Sequence, residues 1–143
     1  MGSVNRKPIN VEALKRIPVA GGDILHILKC SEPDFSGFGE AYFSWIDPGA
    51  VKAWRYHKRM TLNLAVPVGK VRFAFLLPDN SFRIEDIGEE NYVRLNVPPG
   101  IWFGFQGRGE GRSLIVNVAN IPHDPDEMER KLPNEILFDW SEP

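Results

Sequence analysis

The chain has 143 residues and a formal net charge of −2, with 43% hydrophobic and 25% charged side chains. That length suits one globular domain with its own core, and so small a net charge supplies no long-range basic field for nucleic acid or an anionic membrane. Cys30 stands alone, which excludes an internal disulfide and accords with a reducing cytoplasm.

Cys30 is expected as a small buried hydrophobe at a strand end. No apolar run near the start has the length of a secretion signal, and no stretch approaches the roughly 20 apolar residues of a membrane span. Thirteen glycines and twelve prolines predict a chain with many turns.

Residues 1–22 are polar and mixed and read as an N-terminal extension. Within them, 11–16 fits a short helical turn capped by Asn10. Residues 23–143 read as a single barrel domain. Its first strand is predicted over 23–29, followed by a loop over 31–39 that holds Pro33, Gly37 and Gly39. Strands are then predicted over 40–46, 51–57, 62–68, 71–77 and 82–86, separated by Asp47-Pro48-Gly49, Gly69 and Pro78-Asp79-Asn80. Residues 92–97 alternate, with Val93, Leu95 and Val97 on one face and Tyr92, Arg94 and Asn96 on the other. Pro98-Pro99-Gly100 breaks this run, and strands resume over 101–105 and 113–119.

A helix is predicted from Asp124. Pro125 takes the first helical position, Asp126 and Glu127 load the first turn with negative charge, and Arg130 and Lys131 close it. It is expected as a solvated helix on the outside of the barrel. The tail carries Ile136, Leu137, Phe138 and Trp140 and is expected to dock on the barrel or on a neighbouring subunit. Eight or nine short strands at this spacing indicate a sandwich or closed barrel, with no room for the helices of a parallel α/β fold.

Gly49 is followed after five residues by Arg55-Tyr56-His57, then by Gly69; later come Pro98, Gly100 and Phe103. The spacing resembles the two cupin motifs: glycine, five residues, His-x-His, glutamate, glycine; and Pro-x-Gly, two residues, histidine. More narrowly, the segments 49–59, 97–105 and 120–125 resemble the dTDP-4-dehydrorhamnose 3,5-epimerases and the related dTDP-sugar 3,4-ketoisomerases. The likeness covers about residues 39–140. It implies a mostly β cupin barrel, a double-stranded β-helix or jelly roll, with a short C-terminal helix. It also implies a cytoplasmic homodimer that needs no cofactor. The chain departs from the motifs at three places. Arg55 takes the first histidine's place, Thr61 or Leu62 the glutamate's, and Phe103 that of the second-motif histidine. His57 alone remains, and one imidazole beside a guanidinium does not make a transition-metal site.

In that family a histidine, often aligned by an acid, removes a proton next to a 4-keto group. A tyrosine returns one, and a cation steadies the enolate. Arg55 is no base, but residues 55 and 57 share a strand face. His57 is therefore the candidate base and Arg55 an enolate or phosphate clamp. His123 falls within two or three residues of the family's tyrosine place. Candidate substrate-binding residues follow from type and face. Lys52, Arg59 and Arg72 suit a diphosphate, Thr61, Asn63 and Asn117 suit hydroxyls, and Phe103 and Phe105 suit a stacked ring. Each also has a plain structural reading as a satisfied core group or a solvated strand cation. Two functions follow. One is a metal-independent sugar-nucleotide 3,5-epimerase or 3,4-ketoisomerase acting on a dTDP-4-keto-6-deoxyhexose or a similar nucleotide sugar. The other is a non-catalytic cupin module that binds a nucleotide sugar or an active partner enzyme.

Overall fold

The computed structural model describes residues 9–143, so the first eight residues of the predicted extension lie outside it. Twelve strands follow in order: β1 Asn10–Ala13, β2 Arg16–Ile17, β3 Ile24–Leu25, β4 Glu40–Ile46, β5 Val51–His57, β6 Leu62–Val68, β7 Lys70–Leu76, β8 Phe82–Gly88, β9 Val93–Val97, β10 Trp102–Gly107, β11 Ser113–Ala119 and β12 Met128–Arg130. Two five-stranded antiparallel sheets face each other, β1-β9-β6-β11-β4 and β12-β5-β10-β7-β8, while β2 and β3 pair on their own. From β4 to β12 the chain changes sheet at nearly every step, which is how a jelly roll closes its core. Gly69 makes one of these crossings with φ 83°. A Cβ there would lie 2.2 Å from the Ser113 hydroxyl, so glycine is required by space as well as by backbone.

The core between the sheets is apolar. Leu62, Leu64 and Val66 of β6 meet Phe73, Phe75, Phe103 and Phe105 from the facing sheet. The alternation of β9 is realised: Val93, Leu95 and Val97 enter this core, and Arg94 and Asn96 point the other way. Arg94 is nevertheless only 1% exposed. Its guanidinium donates to both oxygens of Asp34 at 2.9 and 3.1 Å and to Asn63 Oδ1 at 2.7 Å. The glycine-containing loop after β3 is thereby clamped over the outer face of the first sheet.

The tail covers the outer face of the second sheet. Ile136, Phe138 and Trp140 pack against Trp54, Ala74 and Phe82. Phe138 and Trp140 lie edge to face at 4.5 Å. Arg72 grips Asp86 with two bonds and donates to the Glu142 carbonyl, and Arg108 donates to the carbonyls of Trp140 and Glu142. Of the two expected docking places, the tail occupies the chain's own barrel.

Several expectations are corrected. Residues 11–16 are not helical. Asn10–Ala13 pairs in antiparallel register with β9, gaining ladder bonds along its open edge where a lone helical turn would gain one. The strand expected over 23–29 shrinks to Ile24–Leu25, and Cys30 lies exposed in the loop beyond it. No helix follows Asp124. Its side chain does cap, accepting from the Asp126 N–H at 3.0 Å, but only one 3-10 turn forms over Pro125–Glu127. The chain then extends as β12 along β5, and Pro133 disfavours helix at the residue before it. Among the described residues, no helix is long and apolar enough to cross a membrane.

Candidate active site

Between the free edges of the two sheets lies a cavity of about 370 Å³. The two-residue period of β5 turns Arg55 and His57 into it together, and antiparallel pairing sets Met128 beside His57 and Arg130 beside Arg55. Glu40 and Tyr42 of β4 form the opposite wall, and Met60 and His123 complete the lining. All three predicted catalytic residues, His57, Arg55 and His123, thus reach one cavity.

His57 is held from behind. Its Nδ1 lies 2.5 Å from Glu127 Oε1. The other carboxylate oxygen accepts the N–H groups of Arg59 and Met60, each at 3.1 Å. Burial alone would raise the Glu127 carboxyl. Bonds from the imidazole and from the two backbone N–H groups outweigh that effect and hold it below the ordinary glutamate range. An ionised Glu127 accepts only, so Nδ1 carries the proton and Nε2 is the nitrogen left for a ligand. Phe103 packs parallel to the imidazole, centroids 6.2 Å apart, and closes one flank with hydrocarbon. The residue at the second-motif histidine's place is therefore a wall for the ring.

Arg55 is half-buried and, among the described residues, its guanidinium has no hydrogen-bond or ion-pair partner. Burial lowers its pKa from the usual arginine value, the charge of Arg130 lowers it further, and Tyr42 acts in the opposite sense. It stays protonated near neutrality, so it is a positive charge beside the open face of His57. Tyr42 Oη accepts a bond from Asn117 Nδ2 at 3.1 Å.

The remaining candidates lie elsewhere. Lys52 reaches out to the Trp45 carbonyl, and Arg59 pairs with Asp124 at the surface. Arg72 is committed to Asp86 and the tail. The Thr61 N–H donates to Asn120, and the side chain of Asn63 belongs to the Arg94 cluster on the outer face. Phe105 packs on Phe73 in the core at 5.4 Å. Asn117 is 1% exposed, behind Tyr42 rather than on the cavity surface. Among the described residues, no three His, Cys, Asp or Glu side chains gather as a metal would need.

The sequence reading missed Glu127, Tyr42, Glu40 and Arg130. Tyr42 had a usable signal: it shares a face with Ile46, a core residue of the same alternating strand. Glu127 was masked by its fit to a helix's first turn.

No family model matches the chain. The solved structure of a dTDP sugar isomerase from Desulfovibrio desulfuricans G20 is similar, with TM-score 0.89 and 36% identity across 94% of this chain and 92% of that one. The spore coat polysaccharide biosynthesis protein SpsL of Bacillus subtilis is 25% identical over 143 residues, covering 93% of this chain and 95% of its own. The dTDP-4-dehydrorhamnose 3,5-epimerase of Sulfolobus tokodaii has the same fold, with TM-score 0.80 at 19% identity over 97% of this chain and 84% of that one. With the motif spacing of β5 and β10 and this likeness along nearly its whole length, the chain belongs to the dTDP-4-dehydrorhamnose 3,5-epimerase-like cupins, the family of the dTDP-sugar isomerases.

Proposed function

We propose that the protein is a metal-independent sugar-nucleotide epimerase or ketoisomerase that moves a proton next to the keto group of a dTDP-4-keto-6-deoxyhexose or a similar nucleotide sugar. The observation that carries this reading is the His57–Glu127 pair, buried on one wall of a cavity whose other wall presents Tyr42. His57 Nε2 takes the proton from the carbon next to the keto group, and Glu127 steadies the imidazolium that results. The electron pair left on carbon delocalises onto the keto oxygen, where Arg55 meets the negative charge. Tyr42, on the opposite wall, returns a proton to the enolate. His123 at the rim is a second candidate for proton exchange.

The complete pair speaks against a non-catalytic module, since an imidazole buried only for structure has no need of an open nitrogen. The absence of any disulfide accords with a cytoplasmic setting. A homodimer is part of the same proposal. β4 is an edge strand, with Phe43 71% and Trp45 44% exposed on its outward face, and an unpaired edge of that character invites a second sheet.

Incubation with dTDP-4-keto-6-deoxyglucose in heavy water tests the chemistry. Deuterium is expected at carbon 3 or 5, and His57→Ala is expected to slow its uptake about 10²–10⁴-fold. Binding without uptake by the wild type overturns the proposal.

A further inference from the structure

Asn117 occupies an inward position of β11 between two core residues, Ile115 and Ala119. An amide buried to 1% exposure is unfavourable there unless every polar atom is used, and an apolar residue would fill the space as well. Both ends of the amide are used, in one orientation. Its Oδ1 accepts the backbone N–H of Asn63 at 3.2 Å. A backbone N–H only donates, so this contact fixes which end of the amide is oxygen. The Nδ2 end is left facing Tyr42 Oη, where it can only donate.

Asn63 cannot yield either. Its Oδ1 accepts from Arg94 at 2.7 Å and from Asn96 at 3.0 Å, while its Nδ2 donates to the Val118 carbonyl at 3.0 Å. Asn63 is thereby anchored, and its backbone N–H, which can only donate to Asn117 Oδ1, sets the polarity that leaves Asn117 Nδ2 donating to the phenol oxygen.

We propose that Asn117 is a positioning residue for proton return: by donating to Tyr42 Oη it obliges the hydroxyl to present its own proton to the cavity, towards the substrate carbon opposite His57. This rests on the proposed function and adds the residue that sets the direction of the tyrosine proton. In the forward step the Tyr42 O–H bond breaks as a C–H bond forms on the enolate. The phenolate left behind keeps the Asn117 donor and later regains a proton from solvent.

Asn117→Asp tests the polarity with little change of shape. One carboxylate oxygen still accepts the Asn63 N–H, but the other now accepts from Tyr42 and turns its proton away from the cavity. With dTDP-4-keto-6-deoxyglucose in heavy water, product formation (epimer or 3-keto isomer) is expected to fall about 100-fold. Uptake of deuterium at carbon, which needs only His57, is expected to fall less than tenfold. Tyr42→Phe should show the same split, and the double variant should be no worse than either single one. Asn117→Leu, which removes the donor without adding charge or an acceptor for the hydroxyl proton, guards against misfolding of the Asp variant and should show a smaller split. Independently of turnover, nitrogen-15 spectra should show one Asn117 side-chain amide proton protected from exchange and released by Tyr42→Phe. Wild-type product rates in Asn117→Asp and Asn117→Leu, fully additive losses, or an amide proton indifferent to Tyr42→Phe would each overturn the assignment. A wild type that takes up no deuterium sinks the proposed function instead, and the amide signal then decides the polarity alone.

Discussion

The molecule buries two acid–base pairs on opposite sides of one sandwich. Arg94–Asp34 lies outside the first sheet beneath a loop, and His57–Glu127 lies within the second beside a cavity. In the first, Arg94 spends its terminal nitrogens on Asp34 and Asn63, and Nε is, among the described residues, its one buried polar atom without a partner. In the second, Glu127 is saturated by three donors while His57 keeps a ring nitrogen in reserve. Burial is nearly equal in the two. The difference is where the unused valence points: into packed protein, where it does nothing, or into an open cavity. A buried pair of the first kind holds a loop in place; one of the second kind has a nitrogen free for the proton transfer proposed above.

Four measurements sharpen that contrast. The largest effect is expected from Asp34→Ala, which leaves the Arg94 charge buried and unpaired. It should lower stability by about 3–5 kcal/mol, a large part of the total for a domain of this size, read as a lower urea midpoint. Glu127→Gln should do the reverse. Turnover falls about 100-fold because the imidazolium loses its counter-charge, while stability at neutral pH falls far less than in Asp34→Ala. If Glu127→Gln unfolds the protein, or Asp34→Ala leaves the urea midpoint unchanged, the contrast fails. Trp140→Ala strips a half-buried ring from the tail cluster and should lower stability by about 2 kcal/mol.

The smallest effect is a pH slope. The folded Glu127 carboxyl lies below its ordinary value. Its contribution is therefore complete above the ordinary glutamate range and is lost as pH falls through that range to the lower folded value. Glu127→Gln should flatten the acid side of the stability curve, and an unchanged slope would show that the ionised pair adds nothing to folding.

Much of the scaffold was legible in the chain. The bounds of β4, β5, β6 and β11 follow from alternation and from the turn residues between them, because both signals are local. The shared direction of Arg55 and His57 follows from the strand period alone. Glu127 was not legible. Its partner lies 70 residues away, and its neighbours Asp124 and Pro125 favour a helix start until pairing of Met128–Arg130 with β5 draws the chain straight. The Arg94 cluster was hidden for a related reason. An alternating strand shows which side chains leave the core, but not that a distant loop will cover them.

β5 bears two loads at once. Trp54 faces out into the aromatic tail while Arg55, its neighbour, faces the cavity. Any shift in how the tail seats on Trp54 is handed directly to the wall that carries His57, the proposed base. Sequence drift or a fusion at the C-terminal end would therefore retune chemistry it never touches, and a selection for altered substrates should recover substitutions at Phe138 and Trp140 as readily as in the cavity itself.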